Sequence, residues 1–194
     1  LKSWVSFRST MAILLHIFAA GIRFVIPYSG LGVWCRIVYF YCMIQIFTDG
    51  SSRGNPGPGG YGIILVSGPH RKELSKGFRL TTNNRMELLS VIVALEALKK
   101  DGEQVMIFSD SKYVIDSVEK GWVFGWQKKN FHGKKNADLW KRFLQIYGNH
   151  QVKFRWIKGH NNHPENERCD EMAVAAALGG NLETDHGFES GQYN

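Results

Sequence analysis

Acidic residues are missing from the first quarter of this chain: Asp49 is the first Asp or Glu among its 194 residues. Residues 1–43 carry only Lys2, Arg8, Arg23 and Arg36 as charges, set between apolar runs at 11–22 and 30–44. The run at 11–22 does not read as a membrane span, because it falls short of the roughly 20 residues required and Arg23 interrupts any longer one. Three readings of residues 1–42 stay open: a signal peptide or membrane anchor, an acid-poor transit peptide, or upstream sequence translated ahead of Met43. Cysteine is also scarce. Cys35, Cys42 and Cys169 have neither metal-ligand nor disulfide-framework spacing. That excludes a thiolate zinc site and a stapled secreted scaffold, and points to reduced thiols in a cytoplasmic protein. No internal repeat is visible.

What is present is a basic chain, with 24 Lys and Arg against 17 Asp and Glu, a net charge of +7. Such a balance implies a polyanionic partner or an anionic membrane surface. The length suits one domain with a sizeable core. Boundaries fall at an apolar, acid-free extension over 1–42, a domain over 43–178, and a Gly-containing polar tail over 179–194 that composition marks as disordered.

The domain is organised around IQIFTDGSSRGNPGPGGYGIIL at 44–65, which reads as strand, Gly/Pro/Ser turn and strand. Its first strand is mostly apolar, as for a strand buried on both faces, and delivers Asp49 to its carboxyl end. Residues 72–80 form a further strand. Thr81 to Asn84 supply caps for a helix that carries Glu87 and runs to Lys99 and Lys100. A short strand at 105–108 ends in Ser109-Asp110-Ser111, followed by a helix through Ser117. A helix at 137–147, a strand at 152–157 and an Ala-rich helix starting around Asp170 complete the domain.

Two strands thus end in an acid, Asp49 and Asp110, and two helices begin near one, Glu87 and Asp170. In an open sheet, ligands gather beyond the carboxyl ends of the strands. Four acids converging there need a positive charge among them, because like charges at close range disfavour one another's ionisation. Oxygen donors without His or Cys suit Mg²⁺ or Mn²⁺ rather than zinc. Two such ions about 3.5–4 Å apart serve in-line phosphoryl displacement.

The strings TDGSSRGNPGPGGYG, TTNNRMELL, SDSKYV and WIKGHNNHPENERCDEMA, in this order, resemble bacterial type I ribonuclease H over about residues 43–178. The resemblance implies an α/β ribonuclease H-like fold, a mixed five-stranded sheet flanked by helices. It implies an endonuclease that hydrolyses the RNA strand of RNA–DNA hybrids with two Mg²⁺ ions, Mn²⁺ being the alternative, and leaves 5′-phosphate and 3′-hydroxyl ends. Asp49, Glu87, Asp110 and Asp170 are then the metal-binding carboxylates, and His160 is the loop histidine that aids proton transfer or product release. A monomer needing no protein partner is expected. The chain departs from the family pattern in its first 42 residues, in Ser52-Arg53, and in a shortened basic segment.

The resemblance assigns Asn55 and Asn83 to reading RNA 2′-hydroxyls, and Thr82 and Asn136 to phosphates of the DNA strand. Between 120 and 142, Lys120, Lys128, Lys129, Lys134, Lys135, Lys141 and Arg142 face Asp138 alone, with Trp122, Trp126 and Phe131 interleaved. Basic residues so clustered grip a nucleic-acid backbone by neutralising phosphates. A non-catalytic hybrid- or duplex-binding module is the alternative function. It would require a missing acid, and all four are present.

Overall fold

The protein is described by a computed structural model over residues 43–159, 161, 163–191. The expectations for residues 1–42 and for His160 lie outside the described residues. Five strands form one sheet: β1 (Ile44–Ser52), β2 (Gly57–Ser67), β3 (His70–Thr81), β4 (Gln104–Ser109) and β5 (Gln151–Trp156). Their order across the sheet is β3-β2-β1-β4-β5. β1, β2 and β3 pair antiparallel, whereas β4 and β5 join in parallel with β1. This is the mixed sheet expected.

β1 is central and covered on both faces, which explains its nearly continuous apolar run. On one face Ile46 packs with Met86, Leu88 and Ile92 of α1 (Asn83–Glu96). α1 also packs against α4 (Ala137–Tyr147). Enclosed on both sides, α1 buries every residue from Arg85 to Ile92, so an ordinary amphipathic stripe is not to be expected of it. On the opposite face Phe47, Ile64 and Phe108 pack with Cys169 and Met172 of α5 (Pro164–Leu178). A Cβ at Gly62 of β2 would collide with the Cys169 carbonyl, so the bare glycine backbone lets α5 lie directly on the sheet. The remaining helices are α2 (Lys112–Glu119), α3 (Trp122–Lys128) and α6 (His186–Glu189).

Three expectations are corrected. α1 ends at Glu96, where Ala97 caps it, short of Lys99. α5 begins at Pro164, a residue preorganised for the first turn, which places Asp170 well inside the helix instead of near its start. Finally, the tail through residue 191 is docked on the domain: Glu183 bridges Phe78 beside β3, exchanging backbone bonds of 2.9 Å with Gly77 and Arg79. Composition pointed to disorder because it could not register one long-range ion pair. Asp185 is fastened by Arg85 through two bonds of 2.7 Å. No helix among the described residues is long and apolar enough to cross a membrane.

Candidate active site

The β1–β4 register builds the site. Phe47 lies opposite Phe108, and their rings stack at 4.7 Å. Two residues further along, on the same pleat face, come Asp49 and Asp110, so adjacent parallel strands bring the two carboxylates together. Glu87 arrives from α1. A Cβ at Gly50 would collide with the backbone of Met86 and Glu87, so only glycine admits the first turns of α1 so close to the end of β1. Oxygens of Asp49, Glu87 and Asp110 lie within 4.8 Å of one another, with Asp49 and Glu87 buried.

These acids are held under electrostatic tension. Burial, with the charges of Asp110 and Asp170 added, pushes Asp49 up to about 8, against the opposing pull of a bond from the Gly50 amide. Glu87 is raised for the same reasons: burial first, then Asp49 and Asp110. Glu87 accepts from Asn83 Nδ2 at 3.4 Å through Oε1, while its buried Oε2 has no hydrogen-bond partner. Crowded carboxylate oxygens, one of them unsatisfied, with no nitrogen or sulfur donor among the three, fit a hard divalent cation.

Asp170 is not one of these three, although its charge is felt at Asp49. Gly159, the residue before His160, abuts Asp110: a Cβ there would strike Oδ2. His163 caps α5 and stacks near Phe47 and Phe108, with centroids at 5.3 and 6.4 Å, a packing role.

The expected substrate residues fall into two groups. Asn55 Oδ1 accepts from the Asn83 amide at 3.4 Å, and Asn83 in turn reaches Glu87, so both asparagines border the carboxylates. A recess of about 310 Å³ beside them is lined by Asn55, Thr82, Lys135, Asn136 and Phe188, among others. Thr82 sits at the N-cap of α1 but makes no side-chain capping bond. Asn136 is left-handed and buried, donating to the Tyr113 hydroxyl at 3.0 Å. Further along, Lys134 stands over Trp126 at 5.2 Å and Lys120 over the half-exposed Trp122 at 5.0 Å. Lys128 and Lys129 are exposed. Arg142 is withdrawn from this basic set by a bidentate pair with Glu96 at 2.6 and 2.7 Å.

Sequence reasoning missed the support beneath the recess. Arg85 is 1% exposed and forks to Asp185 and Asp138 with contacts of 2.7–2.9 Å. Thr81 adds a bond of 2.7 Å to Asp185. An arginine one residue before the buried run MELLSVI was the available signal, since a cation there demands partners.

A mixed five-stranded sheet with clustered carboxylates at the ends of neighbouring parallel strands defines the ribonuclease H-like class. The comparisons agree. The family model for RNase H matches residues 43–178. Ribonuclease H of Desulforamulus reducens is 53% identical over 147 residues, covering 73% of this chain and 92% of that protein. Ribonuclease H of Shewanella sp. (strain ANA-3) is 52% identical over 152 residues, covering 76% of this chain and 95% of that one. Among solved structures, LC9-RNase H1, described as a type 1 RNase H with the type 2 active-site motif, superposes with a TM-score of 0.66 at 31% identity. It covers 78% of this chain and 81% of that one. The chain belongs to the ribonuclease H family.

Proposed function

We propose that this protein is a Mg²⁺-dependent endonuclease that hydrolyses the RNA strand of RNA–DNA hybrids, leaving 5′-phosphate and 3′-hydroxyl ends. The observation that carries the reading is the set of carboxylate oxygens within 4.8 Å at the ends of β1 and β4, in a chain of this family. Asp49, Glu87 and Asp110 hold the ions, and Asp170, whose charge is felt at Asp49, completes the set. Two such ions, Mg²⁺ with Mn²⁺ as substitute, would supply activation of the attacking water and stabilisation of the departing 3′ oxygen when bound. Asp49, at the end of the central strand, would help to hold both ions. His160 carries a proton to or from the reacting oxygens, supported by Gly159 lying on Asp110.

The residues around the carboxylates orient the hybrid. Asn55 and Asn83 offer amides to RNA 2′-hydroxyls across the minor groove, and their bonds to each other and to Glu87 link that recognition to the ion site. Thr82 and Asn136 receive a DNA-strand phosphate in the recess, with Lys135 adding charge. Lys128, Lys129 and Trp122 extend the grip along the duplex. We infer a monomer, since one chain carries the whole set, and a cytoplasmic setting, in keeping with the absence of disulfide spacing.

The test is the full chain with matched hybrid, RNA duplex and DNA duplex, each in Mg²⁺ or EDTA. RNA-strand cleavage confined to the hybrid and to Mg²⁺ is expected. Equal cleavage of the RNA duplex, or activity that persists in EDTA, overturns the proposal.

A further inference from the structure

Lys112 opens α2, two positions beyond Asp110. Its ammonium stands 5.0 Å from the centroid of the Trp156 ring. That indole is 45% exposed, and its Nε1–H donates to the Asp110 backbone carbonyl at 3.1 Å. One exposed indole is therefore fastened to the backbone of a candidate metal-binding residue and carries a cation against its π-system. We propose that Lys112, steered by Trp156, contacts a phosphate of the RNA strand beside the cleaved bond. This inference rests on the hybrid-cleaving function proposed above.

The charge has no other evident employment. Arg71, Lys76, Arg79, Arg85, Lys120, Arg142 and Arg168 each hold a carboxylate. Among the described residues no ion pair involves Lys112. Clustered acids repel an incoming phosphodiester, so a fixed cation at their margin favours its approach. The amino-terminal end of α2 adds partial positive charge in the same place.

An exposed cation–π pair does little for folding, but it restrains a flexible side chain before binding, which lowers the ordering cost on contact. Trp156 is thus a positioning residue and Lys112 the contact. The strand follows from the placement: a group this near Asp110 meets the strand whose phosphate enters the carboxylate centre, which is the RNA.

The experiment uses the full chain and the variants Lys112→Met, Lys112→Arg and Trp156→Leu, with cleavage kinetics in Mg²⁺, hybrid binding in EDTA across a salt series, and urea unfolding. Lys112→Met raises KM about tenfold, as expected for one charge-assisted bond, and leaves kcat within about twofold. It lowers the slope of log affinity against log salt by about 0.9, while Lys112→Arg restores both. Trp156→Leu raises KM less and keeps the slope, because the cation remains but is no longer steered. Unfolding midpoints stay together, which separates these effects from a structural role. A neutral methylphosphonate in the RNA strand beside the cleaved bond costs the wild type about tenfold and Lys112→Met nothing. An unchanged KM and slope in Lys112→Met, or a methylphosphonate penalty that persists in it, overturns the inference. Failure of the wild type to cleave any hybrid overturns the proposed function itself, whereas normal cleavage indifferent to Lys112 overturns this inference alone.

Discussion

Replacing Asp49 with Asn should stabilise the metal-free protein, although it destroys a metal-binding group. Asp49 is 7% exposed, and burial together with Asp110 and Asp170 raises it from 3.8 to about 8. The folded state therefore retains a proton that the unfolded chain gives up. The resulting destabilisation is absent below pH 4, grows as pH rises between the two values, and levels off above about 8. Each pH step within that window costs about 1.4 kcal/mol, so the penalty at pH 7 is about 4 kcal/mol. Asn keeps the shape without the charge but weakens the bond from the Gly50 amide, a loss of about 1–2 kcal/mol. The expected gain at pH 7 is about 2–3 kcal/mol. Saturating Mg²⁺ should erase or reverse it, since ligand at a hundred times its Kd stabilises the wild type by about 2.7 kcal/mol. Urea unfolding of both proteins at pH 4 and pH 7, in EDTA and in Mg²⁺, gives the comparison. Destabilisation by Asp49→Asn in EDTA, or an equal difference at both pH values, would refute the picture of crowded carboxylates.

Asp185→Asn should cost about 3 kcal/mol in urea unfolding at pH 7, because it strips one partner from a buried arginine. Burial raises Asp185, but bonds from Arg85 and Thr81 outweigh it and hold its pKa below the ordinary value. Its contribution is therefore present above pH 4 and lost as pH falls through the depressed value; a cost that persists in stronger acid would count against the ion pair. Replacing Lys128, Lys129, Lys134 and Lys135 with Ala should weaken hybrid binding and lower its salt slope by roughly 0.9 for each phosphate contact removed, whereas an unchanged slope would place them in solvent. His160→Ala should slow cleavage about 10²-fold, and an unaltered pH–rate profile would remove His160 from proton transfer.

The elements that position the chemistry were legible because local pattern and tertiary role agree there. The apolar strand ending in Asp49 is apolar because it is the central strand, and the short strand before Asp110 lies inside the sheet, between β1 and β5. The resemblance supplied the meaning of those acids; their proximity comes from the Phe47–Phe108 register, which no single segment encodes. The parts that escaped depend on distant partners. The docked tail turns on Arg85 meeting Asp185, a separation of 100 residues. Arg142 reads as part of the basic segment until Glu96 claims it. Asp170 read as an acid near a helix start, whereas Pro164, six residues earlier, opens that helix.

Asp110→Asn tests the assignment of the carboxylates most directly. Asp110 lies at the end of β4 within the group of oxygens spaced 4.8 Å or less, while the proposed duplex grip resides in basic and amide side chains elsewhere. Single-turnover cleavage of a hybrid in Mg²⁺, measured alongside hybrid affinity in EDTA, should show cleavage abolished and binding retained. Cleavage within tenfold of the wild-type rate would mean that Asp110 holds no catalytic metal.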